Sequence, residues 1–102
     1  MTVEELNQKI ASGETPCVLD VREAWELDTA RYPFDVVHIP MGSIKERASE
    51  LPKDREIVCA CRSGGRSAQV VAFLNGQGFS AVNLDGGILA WSARIDPSIP
   101  RY

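Results

Sequence analysis

Three short runs, residues 17–21, 56–60 and 81–84, are rich in apolar and β-branched residues throughout, rather than alternating between apolar and polar. Such runs read as strands buried on both faces. Val36 and Val37 mark a fourth, shorter strand that ends near Pro40. Helical patterns fall between the strands. Strands of this kind, separated by helices, belong to a mostly parallel sheet with helices on both faces, an α/β fold. Binding sites in such sheets lie beyond the carboxyl ends of the strands.

The helices have local signals. Thr2 with Glu5 three residues on forms a capping-box pattern, Leu6 and Ile10 share a face, and Gly13 closes the helix. Residues 23–30 allow a turn or two before Pro33. Ser43 with Glu46 is a second capping-box pattern, opening a helix to about Leu51, which Pro52 ends. Ala68, Val71, Ala72 and Leu74 predict a helix closing at Asn75-Gly76 or Gly78. Gly86-Gly87 opens a last helix with Leu89 and Trp91, and Pro97 and Pro100 mark an irregular tail. With 102 residues, a single domain over 1–102 is expected.

Composition narrows the partners. The net charge is −3 and no long basic tract occurs, so neither nucleic acid nor a membrane surface is expected as a partner. No apolar run approaches the roughly 20 residues of a membrane span. The acidic segment after Met1 has no secretory pattern, so a cytoplasmic location is expected. The three cysteines, Cys17, Cys59 and Cys61, are an odd number and do not read as a disulfide framework. Cys59 and Cys61 with the single distant His38 do not make a zinc pattern, so no metal is expected.

Cys61 stands where the strand 56–60 meets a glycine-rich turn and then a helix: Cys61-Arg62-Ser63-Gly64-Gly65-Arg66-Ser67. Backbone N–H groups in a tight turn converge into an anion-binding nest, and the helix that follows adds its positive end. Arg62 and Arg66 add two cations. Each of these favours a thiolate, the nucleophilic form. The same cradle suits a persulfide anion or an anionic donor such as thiosulfate. Gly64 and Gly65 let the backbone curl, and Ser63 and Ser67 offer hydroxyl donors. The bland alternative is a glycine-rich turn with an incidental cysteine.

These residues resemble the active-site loop of the rhodanese family of sulfurtransferase domains, with Cys61 in the persulfide position. Leu19-Asp20-Val21-Arg22-Glu23 is similar to the family's first block, His38-Ile39-Pro40 to the end of its second, and residues 84–91, Leu84 to Trp91, to its C-terminal block. Four motifs in the right order make the resemblance specific. Residues 30–35 depart from the family's Gly-His-Ile-Pro-Gly-Ala-like stretch, and altered packing is expected there. The resemblance implies a rhodanese-like sheet of about five strands, a catalytic Cys61, and substrate binding by Arg62, Ser63, Gly64, Gly65, Arg66 and Ser67. It also implies sulfur transfer from a small anionic donor such as thiosulfate to cyanide or a thiol, with no cofactor. The tail at 95–100 is similar to rhodanese domains fused to activating enzymes, which points to a sulfur-acceptor protein as a partner. A non-catalytic interaction module is the second reading. A phosphatase or arsenate reductase is the third, and the four residues between Cys61 and Arg66, one fewer than cysteine-based phosphatases have, argue against it.

Other residues invite bland readings. Cys59 and Cys17 read as small core residues, with a resolving thiol as the alternative for Cys59. Asp20 and Arg22 share a side of the strand end and are favoured as a scaffolding ion pair over substrate contacts. His38 is expected to be packed or at the surface. Arg66 either orients substrate or braces the loop. Trp25 and Trp91 are expected as core or edge-packing aromatics, and Glu46, Arg47 and Glu50 as a solvated helix face.

Overall fold

The computed structural model describes residues 1–102. Its sheet has four strands, β1 (Cys17–Asp20), β2 (Val37–His38), β3 (Glu56–Ala60) and β4 (Ser80–Asn83), in the order β2-β1-β3-β4. Every pairing is parallel. Leu19 lies opposite Cys59, and Cys59 in turn opposite Asn83. The sheet has four strands, not about five, because the ends of the chain offer no further strand. The first segment is helix α1 (Val3–Ala11), and the tail carries Pro97 and Pro100, which cannot donate to a ladder.

Side chains alternate across the sheet and fill two cores. On one face Leu19, Val21, Ile57, Cys59 and Cys61 pack with Val70 and Leu74 of α4 (Gly65–Gly76). On the other face Val18, Val58 and Ala60 pack with Val3 and Leu6 of α1 and with Ile88 and Trp91 of α5 (Gly87–Arg94). The sheet is therefore covered on both sides, as its apolar strands require. No helix is long and apolar enough to cross a membrane.

Local capping signals govern some helix ends and not others. Thr2 caps α1, accepting the Glu5 N–H at 3.1 Å. Ser43 makes no cap bond. It ends a 3₁₀ turn (Met41–Ser43) that runs into the single helical turn α3 (Ile44–Arg47), and a second 3₁₀ turn (Ala48–Glu50) follows. The Met41 N–H is tied to the Val21 carbonyl at 2.9 Å, which draws the chain into the 3₁₀ turn before the helix begins. The capping box that does form opens α2 (Ala24–Thr29), where the Glu23 N–H donates to Glu26 Oε1 at 3.0 Å. Trp91 is buried in the core, and Trp25 packs at the edge of the fold, 62% exposed with its ring edge-on to Tyr102 at 6.2 Å. Arg47 and Glu50 pair on the solvated face at 2.8 Å.

Candidate active site

Cys61 follows β3 directly and is 1% exposed. The loop's orientation is set from behind. The Cys61 carbonyl accepts the Ile88 N–H at 3.0 Å and the Tyr32 hydroxyl at 3.2 Å, and the Arg62 carbonyl accepts the Leu89 N–H at 3.1 Å. Ile88 and Leu89 lie in the first turn of α5, whose N–H groups have no partner within their own helix. With these two carbonyls drawn toward α5, the following N–H groups turn inward, toward the Cys61 sulfur. Close approach is essential here. Gly87 has φ +56°, and a Cβ on it would lie 2.5 Å from the Cys61 carbonyl oxygen and 2.6 Å from that of Arg62.

On the inner side, Gly64 takes φ +104° and its N–H donates to Cys61 Sγ at 3.1 Å. Ser67 Oγ lies 3.3 Å from the same sulfur. Burial pushes the thiol up, but the Ser67 hydroxyl and the main-chain N–H groups of Ser67, Gly64 and Ser63 outweigh it and hold Cys61 below the usual thiol value. The turn needs only one of the two adjacent glycines. Nothing lies within 4 Å of a Cβ placed on Gly65. Ser63 and Gly65 are exposed at the rim.

Both arginines are engaged. Arg66 forms a two-point ion pair with Glu26, at 2.6 and 2.8 Å. Glu26 is almost fully buried, and the Arg66 guanidinium holds its carboxyl down at about 2, burial opposing and the Tyr102 hydroxyl assisting. Arg62 donates to the main-chain oxygen of Tyr102, whose ring lies 5.2 Å from its guanidinium carbon. The donors that reach the Cys61 sulfur are therefore neutral N–H and O–H groups of the loop, and the two loop cations have partners of their own.

Behind them, Arg22 and Asp20 form a wholly buried pair at 2.8 Å, the scaffolding arrangement expected, and Arg22 also donates to the Tyr102 hydroxyl at 3.0 Å. His38 Nε2 lies 2.6 Å from the Arg22 carbonyl. Cys59 is buried and its thiol is pushed up to about 12 by desolvation, with the neighbouring Cys17 adding to the shift. Such a thiol is a core residue. Cys17 is only half-buried.

Four contributors escaped the sequence reading: Glu26, Tyr32, Asn83 and Tyr102. Tyr32 stands in the segment that departs from the family pattern. It stacks on Phe34 and meets Trp91 edge-on, and this aromatic packing brings its hydroxyl to the Cys61 carbonyl. For Asn83 a signal existed: it is a polar residue at the carboxyl end of β4, one strand from Cys59.

The profile of the rhodanese-like domain matches residues 2–94. The chain belongs to the rhodanese-like domain family. It is 44% identical over 90 residues to a sulfurtransferase of Allochromatium vinosum, an alignment spanning 87% of this chain and 83% of that protein. A crystal structure of a rhodanese-like domain protein from Staphylococcus aureus superposes with a TM-score of 0.86 at 30% identity, covering 100% of this chain and 96% of that one. The adenylyltransferase and sulfurtransferase uba4 of Ogataea parapolymorpha is 29% identical over 97 residues, 93% of this chain but 25% of that longer protein.

Proposed function

We propose that the protein is a sulfurtransferase that carries sulfane sulfur as a persulfide on Cys61, within one working domain of residues 1–102. The observation behind this reading is the cradle itself: a buried sulfur that accepts from the Gly64 N–H at 3.1 Å, with the Ser67 hydroxyl at 3.3 Å. Although burial opposes it, those hydrogen bonds lower the thiol below its ordinary value and favour the thiolate, the nucleophilic form.

The Cys61 thiolate attacks the outer sulfur of thiosulfate. A new S–S bond forms, the donor's own S–S bond breaks, and sulfite leaves with the bonding pair. Charge then rests on the outer sulfur, about 2 Å from Cys61 Sγ. An acceptor thiolate or cyanide attacks that sulfur, the Cys61 S–S bond breaks, and the thiolate is regenerated. No proton need move in either half, so His38 has no task. The two halves make a ping-pong cycle. Arg62, half-buried at the rim, orients the anionic donor on exchanging the Tyr102 oxygen for it. Ser63, Gly64, Gly65, Arg66 and Ser67 complete the donor-binding loop. Sulfite and thiocyanate release from thiosulfate and cyanide tests the reading: wild type turns over and Cys61→Ala does not, while turnover by Cys61→Ala overturns it.

A protein acceptor is a second reading, supported by the likeness to uba4, in which a domain of this kind is part of a longer adenylyltransferase and sulfurtransferase. Transfer of labelled sulfur from Cys61 to a partner protein's thiol distinguishes it from small-molecule turnover.

A further inference from the structure

Ser67 has one hydroxyl proton and two acceptors in reach. Its Oγ lies 2.6 Å from Asn83 Oδ1 and 3.3 Å from Cys61 Sγ. A single proton serves one of them at a time. The Asn83 amide is oriented by its other end, because Nδ2 donates to the Gly64 carbonyl at 3.1 Å. Reversing the amide would set Oδ1 against that carbonyl, acceptor against acceptor, so the oxygen faces Ser67. Asn83 thus grips the cradle twice. It holds the carbonyl of Gly64, the residue whose N–H is on the sulfur, and it offers Ser67 a shorter, more favourable acceptor than the sulfur.

We propose that Asn83 is a positioning residue that competes with Cys61 for the Ser67 proton, withdrawing it from the inner sulfur whenever that sulfur is uncharged. This rests on the reading of Cys61 as the reactive sulfur. In the thiolate, the hydroxyl rotates to the charged sulfur and leaves Asn83. Once the sulfur is loaded, charge moves to the outer atom and the proton returns to Asn83. The thiolate is stabilised by less than the full hydrogen bond, because forming that bond gives up the one to Asn83. It therefore stays a better nucleophile than a thiolate whose donors have no alternative.

Loss of the Asn83 acceptor leaves the Ser67 proton to the sulfur alone, so Asn83→Leu makes Cys61 more acidic. If Asn83 only braced Gly64, the same change would loosen the N–H cradle and make Cys61 less acidic. The two accounts differ in sign. Of the other charged or titratable groups around the sulfur, Arg62, Arg66 with Glu26, Asp20 with Arg22, Tyr32 and Tyr102 make no bond to Asn83, and Cys59, which lies opposite Asn83 in the sheet, is pushed up to about 12 by burial.

The test is the pH dependence of Cys61 alkylation by iodoacetamide, read on the Cys61 peptide by mass, in wild type, Asn83→Leu, Ser67→Ala and the double variant. Asn83→Leu is expected to raise the thiol ionisation constant about three- to tenfold, the worth of one neutral hydrogen bond, when Ser67 is present. It is expected to leave that constant unraised when residue 67 is alanine. A decrease in both backgrounds, no change, or an equal rise in both overturns the proposal. If Asn83→Leu does not fold, Asn83→Ala is read in the same way. The titration needs no sulfur donor, so its failure is distinct from a failure of sulfur transfer.

Discussion

Arg66 reaches across 40 residues of sequence to Glu26, with its two guanidinium nitrogens 2.6 and 2.8 Å from the carboxylate oxygens. That contact turns a loop cation into a brace between α4 and α2. Arg66 is about one-third exposed, so the pair is worth less than a wholly buried one. Glu26→Gln should lower stability by about 1–2 kcal/mol at pH 7. The Glu26 carboxyl titrates at about 2 in the folded protein, held there first by Arg66 against the opposing effect of burial, compared with about 4.3 in the unfolded chain. A depressed carboxyl stabilises fully above its unfolded value and loses that contribution as the pH falls toward its folded value. The stability gap between wild type and Glu26→Gln should therefore close between about pH 5 and pH 2. Urea titrations across that range measure it, and a gap as wide at the acid end as at neutrality would contradict the pairing.

Arg22 and Asp20 are buried outright, and there the cost is greater. Removing either partner alone, as in Asp20→Leu, strands a charge in the core and should cost about 3–5 kcal/mol. Asp20→Leu with Arg22→Met together should recover much of that loss, because an apolar pair leaves no charge unpaired. Thermal melts of the three variants check the order. A double variant no more stable than the single one would show that the Arg22 bonds to Tyr102 and the Glu26 carbonyl matter more than the pair.

The glycines divide sharply. Gly87→Ala drives a methyl to 2.5 Å from the Cys61 carbonyl oxygen at a left-handed φ and should cost about 3 kcal/mol or more. Gly65→Ala meets open space in the first turn of α4 and should leave the melting temperature unchanged or slightly raised. Equal losses at the two positions would contradict the account of how α5 seats the loop.

The strands and the turn after Cys61 were legible because their causes are local. Continuous apolar runs mark buried strands, and a cysteine between strand end and glycine marks a nest. What was not legible depends on distant chain. Thr2 and Ser43 begin the same local pattern, yet only Thr2 caps a helix, because Met41 is tied to Val21 and the chain enters Ser43 already turning. The sequence left Arg66 between orienting substrate and bracing the loop because its partner Glu26 is remote, and it showed the last helix without showing that the first N–H groups of α5 hold the Cys61 and Arg62 carbonyls. The fifth strand came from the family likeness alone, and the residues provide only four.

Arg62 touches the tail rather than a buried carboxylate, so its removal should spare the fold. Arg62→Ala should raise KM for thiosulfate about tenfold with kcat nearly unchanged, as loss of a charge-assisted contact shared by ground and transition states does. Initial-rate kinetics separate the two constants. An unchanged KM would remove Arg62 from donor binding.

The most direct measurement is the intact mass of the protein after thiosulfate, then after cyanide, in wild type and Cys61→Ser. The account predicts a gain of one sulfur atom in wild type, lost on adding cyanide and absent from the variant. No gain in wild type with thiosulfate or a persulfide donor, or an equal gain in Cys61→Ser, would contradict it.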